Sequence, residues 1–202
     1  MSSITTVVFD LGNVLIPFDY SIMIKRLNNI SPSLGDKYYE KYKSNYHVHK
    51  EFEKWQLSNE EFIRINLEWL DTKVSADEFC RLYSDIFTEN RQTTSLLPLL
   101  KKNHKLFLLS NTNYIHQKYG WEKYDFLKWF DGLILSHEVG ATKPEEKIYK
   151  AVEKVSFDKS ESHLFIDDVK EYVDGAVNIG WNAVQFINHE KLLRDLKSFG
   201  VL

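Results

Sequence analysis

Val7-Val8-Phe9-Asp10-Leu11-Gly12-Asn13-Val14-Leu15 runs from apolar residues into a carboxylate and then a glycine-containing turn. The three residues before Asp10 read as a buried strand. Gly12-Asn13 predicts a turn through positive φ with amides free to face an anion. A strand that delivers Asp10 to a loop suits a nucleophilic aspartate, although a strand ending in Asp before a turn is also a common structural device. The rest of the chain decides between the two.

Outward from that strand the texture divides. From about Ser21 to Asn90 the chain reads almost wholly helical, with Ser58-x-x-Glu61 and Ser75-x-x-Glu78 each patterned as a capping box ahead of an amphipathic run. From Ser95 onward short apolar segments at 106–109, 132–135, 163–166 and 183–187 alternate with helical stretches near 112–120, 145–155, 170–178 and 189–198. That alternation predicts an α/β fold: a Rossmann-like parallel sheet covered by helices on both faces, which the first strand also joins. The helical segment then becomes an insertion after the first turn. In such a sheet ligands sit beyond the carboxyl ends of the strands. Polar residues follow four of the strands: Asp10, then Ser110-Asn111-Thr112-Asn113, Ser136 and Asp167-Asp168.

Composition narrows the function. The chain has 202 residues, long enough for a substantial core, and a single cysteine, Cys80, which rules out an intrachain disulfide scaffold and reads as a core residue. A formal net charge of -3 gives no global attraction to nucleic acid or anionic lipid, so any phosphate binding must be local. No long apolar span is present, and Met1-Ser2-Ser3-Ile4-Thr5-Thr6 lacks the pattern of a secretory leader. The expectation is a cytoplasmic protein acting on a small phosphorylated metabolite, with neither nucleic acid nor membrane as partner; the oligomeric state is not legible.

The carboxylates Asp10, Asp167 and Asp168, with the Gly12 backbone carbonyl, form an all-oxygen set suited to Mg²⁺. Asp167-Asp168 alone would also fit a helix cap and its first-turn acid. Ser110, Asn111 and Thr112 offer a hydroxyl, an amide and backbone N–H groups at a helix start, which hold phosphate oxygens without net positive charge. Thr142-Lys143-Pro144-Glu145-Glu146 sets Lys143 before a proline able to occupy the first helical position. A carboxylate attacking a phosphate dianion needs such positive charge. His47, His49 and Lys50 carry no metal-ligand spacing and read as surface or cap-lining residues.

In this order the four segments, Phe9-Asp10-Leu11-Gly12-Asn13-Val14-Leu15, Leu109-Ser110-Asn111-Thr112, Lys143-Pro144-Glu145 and Phe165-Ile166-Asp167-Asp168, resemble the haloacid dehalogenase-like (HAD) superfamily. The chain is similar in particular to bacterial sugar-phosphate phosphatases of the alpha-D-glucose-1-phosphate phosphatase type. The resemblance implies a core of residues 1–16 and 93–202 and an inserted helical cap of residues 17–92 that closes over the site. It further implies a Mg²⁺-dependent phosphatase in which Asp10 forms an aspartyl-phosphate. Asp10, the Gly12 carbonyl and Asp168 would hold the metal, Asp167 would assist through water or from outside the direct ligands, and Ser110 and Lys143 would hold the phosphoryl oxygens.

Three positions depart from that pattern. Many superfamily phosphatases carry a second aspartate two residues after the nucleophile to protonate the leaving alcohol; Gly12 stands there, and Asp19 is the candidate substitute. Trp55 stands where a cap glycine is usual, which makes it a candidate substrate contact, and Tyr172 replaces an asparagine that often follows the fourth segment. The alternatives are a haloacid dehalogenase, whose halide leaves unprotonated, and a catalytically weak binding protein on the same fold.

Overall fold

The computed structural model describes residues 3–202; Met1 and Ser2, which the sequence reading assigns to the core, lie outside the described residues. Strand β1 (Thr6–Phe9) is followed by five helices, α1 (Tyr20–Ile30), α2 (Leu34–Ser44), α3 (Tyr46–Glu53), α4 (Asn59–Trp69) and α5 (Ala76–Ser84). Short α6 (Arg91–Thr94) and α7 (Leu97–Leu100) lead to β2 (Lys105–Ser110), after which α8 (Tyr114–His116) runs into a π-helical turn at Gln117–Trp121. Then come β3 (Gly132–Leu135), α9 (Ser136–Val139), α10 (Glu146–Ser156), β4 (His163–Asp167), α11 (Lys170–Asn178), β5 (Asn182–Gln185) and α12 (His189–Ser198).

The five strands form one parallel sheet in the order β3-β2-β1-β4-β5, so the direction of winding reverses between β1 and β4. Alternation along the strands explains why every β1 residue is buried. Val7 and Phe9 pack with Leu106, Leu108, Leu164 and Ile166 beneath Leu97 and Leu100 of α7 and Leu192 and Leu196 of α12. Val8 faces the other way, with Phe107, Leu109 and Phe165 against Ile148, Tyr149 and Val152 of α10 and Ala176 of α11. The continuous apolar runs are thus the signature of strands covered on both sides.

Helices α1–α5 interrupt the core between β1 and β2 as an inserted helical cap with a core of its own, built from Met23, Leu27, Phe52, Phe62, Phe79 and Tyr83 together with Cys80. Phe52 and Phe62 stack with ring centroids 4.1 Å apart. Ser58 and Glu61 form the full capping box at the start of α4, while Ser75 accepts from the Glu78 amide alone. Among the described residues no helix is long and apolar enough to cross a membrane.

In the first turn the positive φ expected of Gly12-Asn13 falls on Asn13, at 54°; asparagine tolerates that conformation. Two local expectations are corrected. Helix α10 starts at Glu146, so Pro144 precedes it instead of opening it. The segment read as a strand to 187 ends at Gln185, leaving Ile187 exposed.

Candidate active site

The switch in strand order brings Asp10 and Asp167 side by side. Phe9 pairs with Ile166, and the Asp10 amide donates to the Ile166 carbonyl at 2.9 Å, so the next residue of each strand is an aspartate. By alternation both follow the Val8 and Phe165 face, the one covered by α10, and Lys143 arrives from the loop ahead of that helix. Its Nζ donates to Asp10 Oδ1 and to Asp167 Oδ2, each at 2.6 Å, and the residue is only 3% exposed. The ammonium also lies over the rings of Tyr172 and Phe165, 5.1 and 5.4 Å from their centroids.

Burial alone would lower the Lys143 pKa, but Asp10 and Asp167 outweigh it and hold the ammonium above the ordinary lysine range. Burial likewise pushes Asp10 up to about 8; Lys143 opposes the rise, while Asp167 and Asp168 reinforce it. Asp168 is raised by burial despite the Asn13 Nδ2 group that donates to its Oδ2 at 3.0 Å. Asp167 spends both oxygens, one on Lys143 and the other on the Val169 N–H at 2.8 Å.

One carboxylate oxygen from each of Asp10, Asp167 and Asp168 lies within 4.8 Å of the others. Fully ionised, three carboxylates against one ammonium would carry two uncompensated negative charges; burial, and then this excess, hold Asp10 and Asp168 up, and a hard dication would correct the excess. The donors are all oxygens, as Mg²⁺ prefers, and the set fits that ion. The Gly12 carbonyl accepts the Val14 N–H at 2.6 Å, leaving it one lone pair for a cation. Asp167, with one donor on each oxygen, holds Lys143 and shapes the cluster.

Beyond β2, Ser110 is 3% exposed and lines, with Gly12 and Asn111, a cavity of about 490 Å³ roofed by cap side chains that include Tyr20, Tyr42 and Tyr46. Asn111 has a different task from the one its sequence suggests. Its side chain accepts the Lys143 N–H at 2.8 Å and donates to the Lys143 carbonyl at 3.2 Å, clasping the lysine backbone. Thr112 borders the cavity, but its N–H donates to Ser136 Oγ at 2.9 Å and its hydroxyl accepts from Trp121 Nε1. The expected phosphate-facing Thr112 amide is therefore committed elsewhere, and the helix begins two residues later, at Tyr114, capped by Asn113.

Two candidates are not drawn into the cluster. Asp19 caps α1, accepting from the Ser21 hydroxyl and amide, both at 2.8 Å, and these bonds hold its exposed carboxyl below the usual range. A carboxylate so stabilised is a poor proton donor. Trp55 is half exposed, with its ring near His137 and no part in the wall of the cavity. It occupies the left-handed position, at φ 58°, after α3, where its own N–H and that of Gln56 reach back to Phe52 and Glu51 in a Schellman arrangement. The glycine usual at this place thus answers a backbone need.

Sequence reading missed four contributors: Asn13 on Asp168, Ser136 on Thr112, the Tyr172–Phe165 ring pair around Lys143, and Glu53. The last lines the cavity from the cap and pairs through Oε1 with His49 Nε2 at 3.2 Å. His49 is buried, unlike the exposed His47 and Lys50. Ser136 directly after a strand, Asn13 in the first turn and Tyr172 after the fourth segment each carried a signal by position, but their partners did not; Glu53 carried none.

Known proteins agree with this architecture. A family model of haloacid dehalogenase-like hydrolases matches residues 4–180. The chain is 24% identical over 189 residues to a D-ribitol-5-phosphate phosphatase of Bacteroides thetaiotaomicron, covering 90% of this chain and 91% of that protein. A crystal structure of a HAD family enzyme from Bacteroides thetaiotaomicron superposes with a TM-score of 0.79 at 25% identity, covering 91% and 94% of the two chains. The wild-type form of that enzyme in complex with magnesium and inorganic phosphate gives 0.79 at 24% identity with the same coverage. The match to the family model spans strands β1–β4, the inserted helices and all four sequence segments around Asp10, Ser110, Lys143 and Asp167-Asp168, and the chain belongs to the haloacid dehalogenase-like hydrolases.

Proposed function

We propose that this chain is a Mg²⁺-dependent phosphatase acting on the phosphate monoester of a small sugar or sugar alcohol. The observation that carries the reading is the meeting of Asp10, Asp167 and Asp168 around the buried Lys143 at the winding reversal of the sheet. The relative that acts on D-ribitol 5-phosphate supports the substrate class, and so does a cavity of about 490 Å³, room for a small ester but not for a macromolecule.

Asp10, Asp168 and the Gly12 carbonyl would hold Mg²⁺, whose charge lets a phosphate dianion approach a carboxylate. Asp10 attacks phosphorus and becomes an aspartyl-phosphate, which water then hydrolyses. Lys143 and the Ser110 hydroxyl hold the phosphoryl oxygens; Asp167 and the Asn111 clasp fix the lysine so that little reorganisation accompanies the step. Helices α1–α5 act as the lid that excludes bulk water.

A phosphate-release screen with Mg²⁺ over sugar phosphates, sugar-alcohol phosphates, nucleotides and short-chain esters tests this. The expected result is the highest kcat/KM on a small polyhydroxylated ester, abolished by chelator and reduced on the order of 10⁴-fold by Asp10→Asn. Chelator-insensitive chloride release from 2-chloropropanoate, or full activity of the Asp10→Asn protein, overturns it.

A further inference from the structure

Hydrolysis of an alkyl phosphate needs a proton for the departing alkoxide, and the turn after Asp10 offers none: Gly12 has no side chain, and Asp19 is a helix cap. Among the described residues Glu53 is the one carboxylate in the wall of the cavity that Gly12 and Ser110 also line. It lines the neighbouring opening with Lys143 and Asn111 as well, so from the cap it borders the spaces on both sides of the site. Its side chain is 14% exposed, one oxygen 3.2 Å from His49 Nε2, and His49 Nδ1 lies 2.8 Å from the Tyr83 hydroxyl. That chain fixes the carboxyl group while its second oxygen takes no hydrogen bond among the described residues. Other groups in the wall serve less well: burial raises Tyr20, Tyr42 and Tyr46 out of the range of useful acids, burial holds His116 well below the usual histidine range and so without a proton to give, and both ring nitrogens of His49 are engaged.

We infer that Glu53, delivered by the cap, is the acid–base group that the turn after Asp10 lacks; this rests on the phosphatase reading above. As Asp10 attacks phosphorus and the ester P–O bond breaks, the Glu53 carboxyl gives its proton to the leaving oxygen, releasing the alcohol. Its carboxylate then takes a proton from the water that attacks the aspartyl-phosphate. That step breaks the bond between phosphorus and Asp10, yields inorganic phosphate and returns both carboxyl groups to their starting states. Lys54, the next residue, pairs with Glu145 at 2.8 Å, tying this end of α3 to the loop that carries Lys143. That contact holds the Glu53 end of the cap helix beside a lysine already fixed by the core.

The test compares leaving groups in Glu53→Gln. With the sugar-alcohol or sugar phosphate that the wild type hydrolyses fastest, kcat/KM, which reports the steps up to loss of the alcohol and not the later hydrolysis of the aspartyl-phosphate, is expected to fall about 10²–10⁴-fold. With 4-nitrophenyl phosphate, whose phenolate leaves without a proton, kcat/KM stays within about threefold of wild type. Equal loss on both esters assigns Glu53 a merely structural role and overturns the inference, as does no loss on either. A wild type that hydrolyses the aryl ester but no alkyl ester overturns it too, because such an enzyme has no general acid. A wild type inactive on both fails the phosphatase reading itself, a distinguishable result.

Discussion

The two ends of the central sheet treat the same side chain in opposite ways. At the amino end Asp158 accepts from the Thr5 and Thr6 hydroxyls, at 2.9 and 2.5 Å, and from Lys105 Nζ at 3.0 Å. Burial alone would lift its carboxyl, but the donors outweigh it and hold it below the usual carboxylate range. At the carboxyl end Asp10 meets one lysine and two further carboxylates, and burial raises it. One aspartate is stabilised by its surroundings; the other is kept in a site whose charges balance only when something else arrives. Strain of this kind marks the end of the sheet that does chemistry.

Exchanging each aspartate for asparagine breaks the comparison most sharply. Asp10→Asn should lower turnover on the order of 10⁴-fold while leaving the Tm of the Mg²⁺-free protein unchanged or higher, because it removes one of three crowded carboxylates. Asp158→Asn should do the reverse. Activity persists, while stability falls by about 1–3 kcal/mol, a Tm loss of roughly 3–10 °C in a thermal melt. The pH dependence has a definite sign. A carboxyl held low in the folded state contributes fully above its unfolded pKa of about 3.9, and that contribution disappears as pH falls through the lower folded value. The variant should therefore lose less stability than wild type between about pH 5 and pH 2. A drop in Tm from Asp10→Asn as large as that from Asp158→Asn would erase the distinction between the two ends.

Much of the carboxyl end was legible because apolar runs announce strands and the polar residues directly after them announce loops. Asp10, Ser110 and Asp167 needed no more than that. What the pattern does not encode is which loop donors remain free. Thr112 looks like a phosphate ligand until Ser136, 24 positions away, proves to hold its amide. Asn111 looks like one until its amide closes on the Lys143 backbone. The Gly12-Asn13 turn through positive φ was legible too, and Asn13 is the residue of the pair that takes the left-handed conformation. In the cap, heptad-like spacing gave helices but not their pairing, so the approach of His49 to Tyr83, 34 positions on, and the aim of Glu53 could be found only in three dimensions.

A smaller effect sharpens the account of the lysine. Tyr172 stands where related chains often have asparagine, yet its ring lies 5.1 Å from the Lys143 ammonium and its backbone carbonyl accepts from Tyr149 at 2.8 Å. The aromatic face is here a partner of the charged group. Tyr172→Leu should reduce kcat roughly 2–30-fold, the worth of one partly desolvated cation–π contact, and Tyr172→Phe should stay within about threefold of wild type. A Phe variant as impaired as the Leu variant would move the role from the ring to the phenol oxygen.

The smallest effect concerns Trp55, whose bulk suggested a narrowed substrate site and whose backbone tells another story. A non-glycine residue in the left-handed conformation costs about 1 kcal/mol, and this indole recovers little of that, being 50% exposed with its ring 6.4 Å from that of His137. Trp55→Gly keeps the Schellman bonds from residues 55 and 56 to Phe52 and Glu51 and relieves the strain. It should raise stability by up to about 1 kcal/mol, a shift of roughly 2–4 °C, with kcat/KM on the preferred ester within about twofold of wild type. A tenfold loss in kcat/KM without loss of Tm would instead mean that the indole swings onto the substrate when the cap closes, and would return Trp55 to the binding surface.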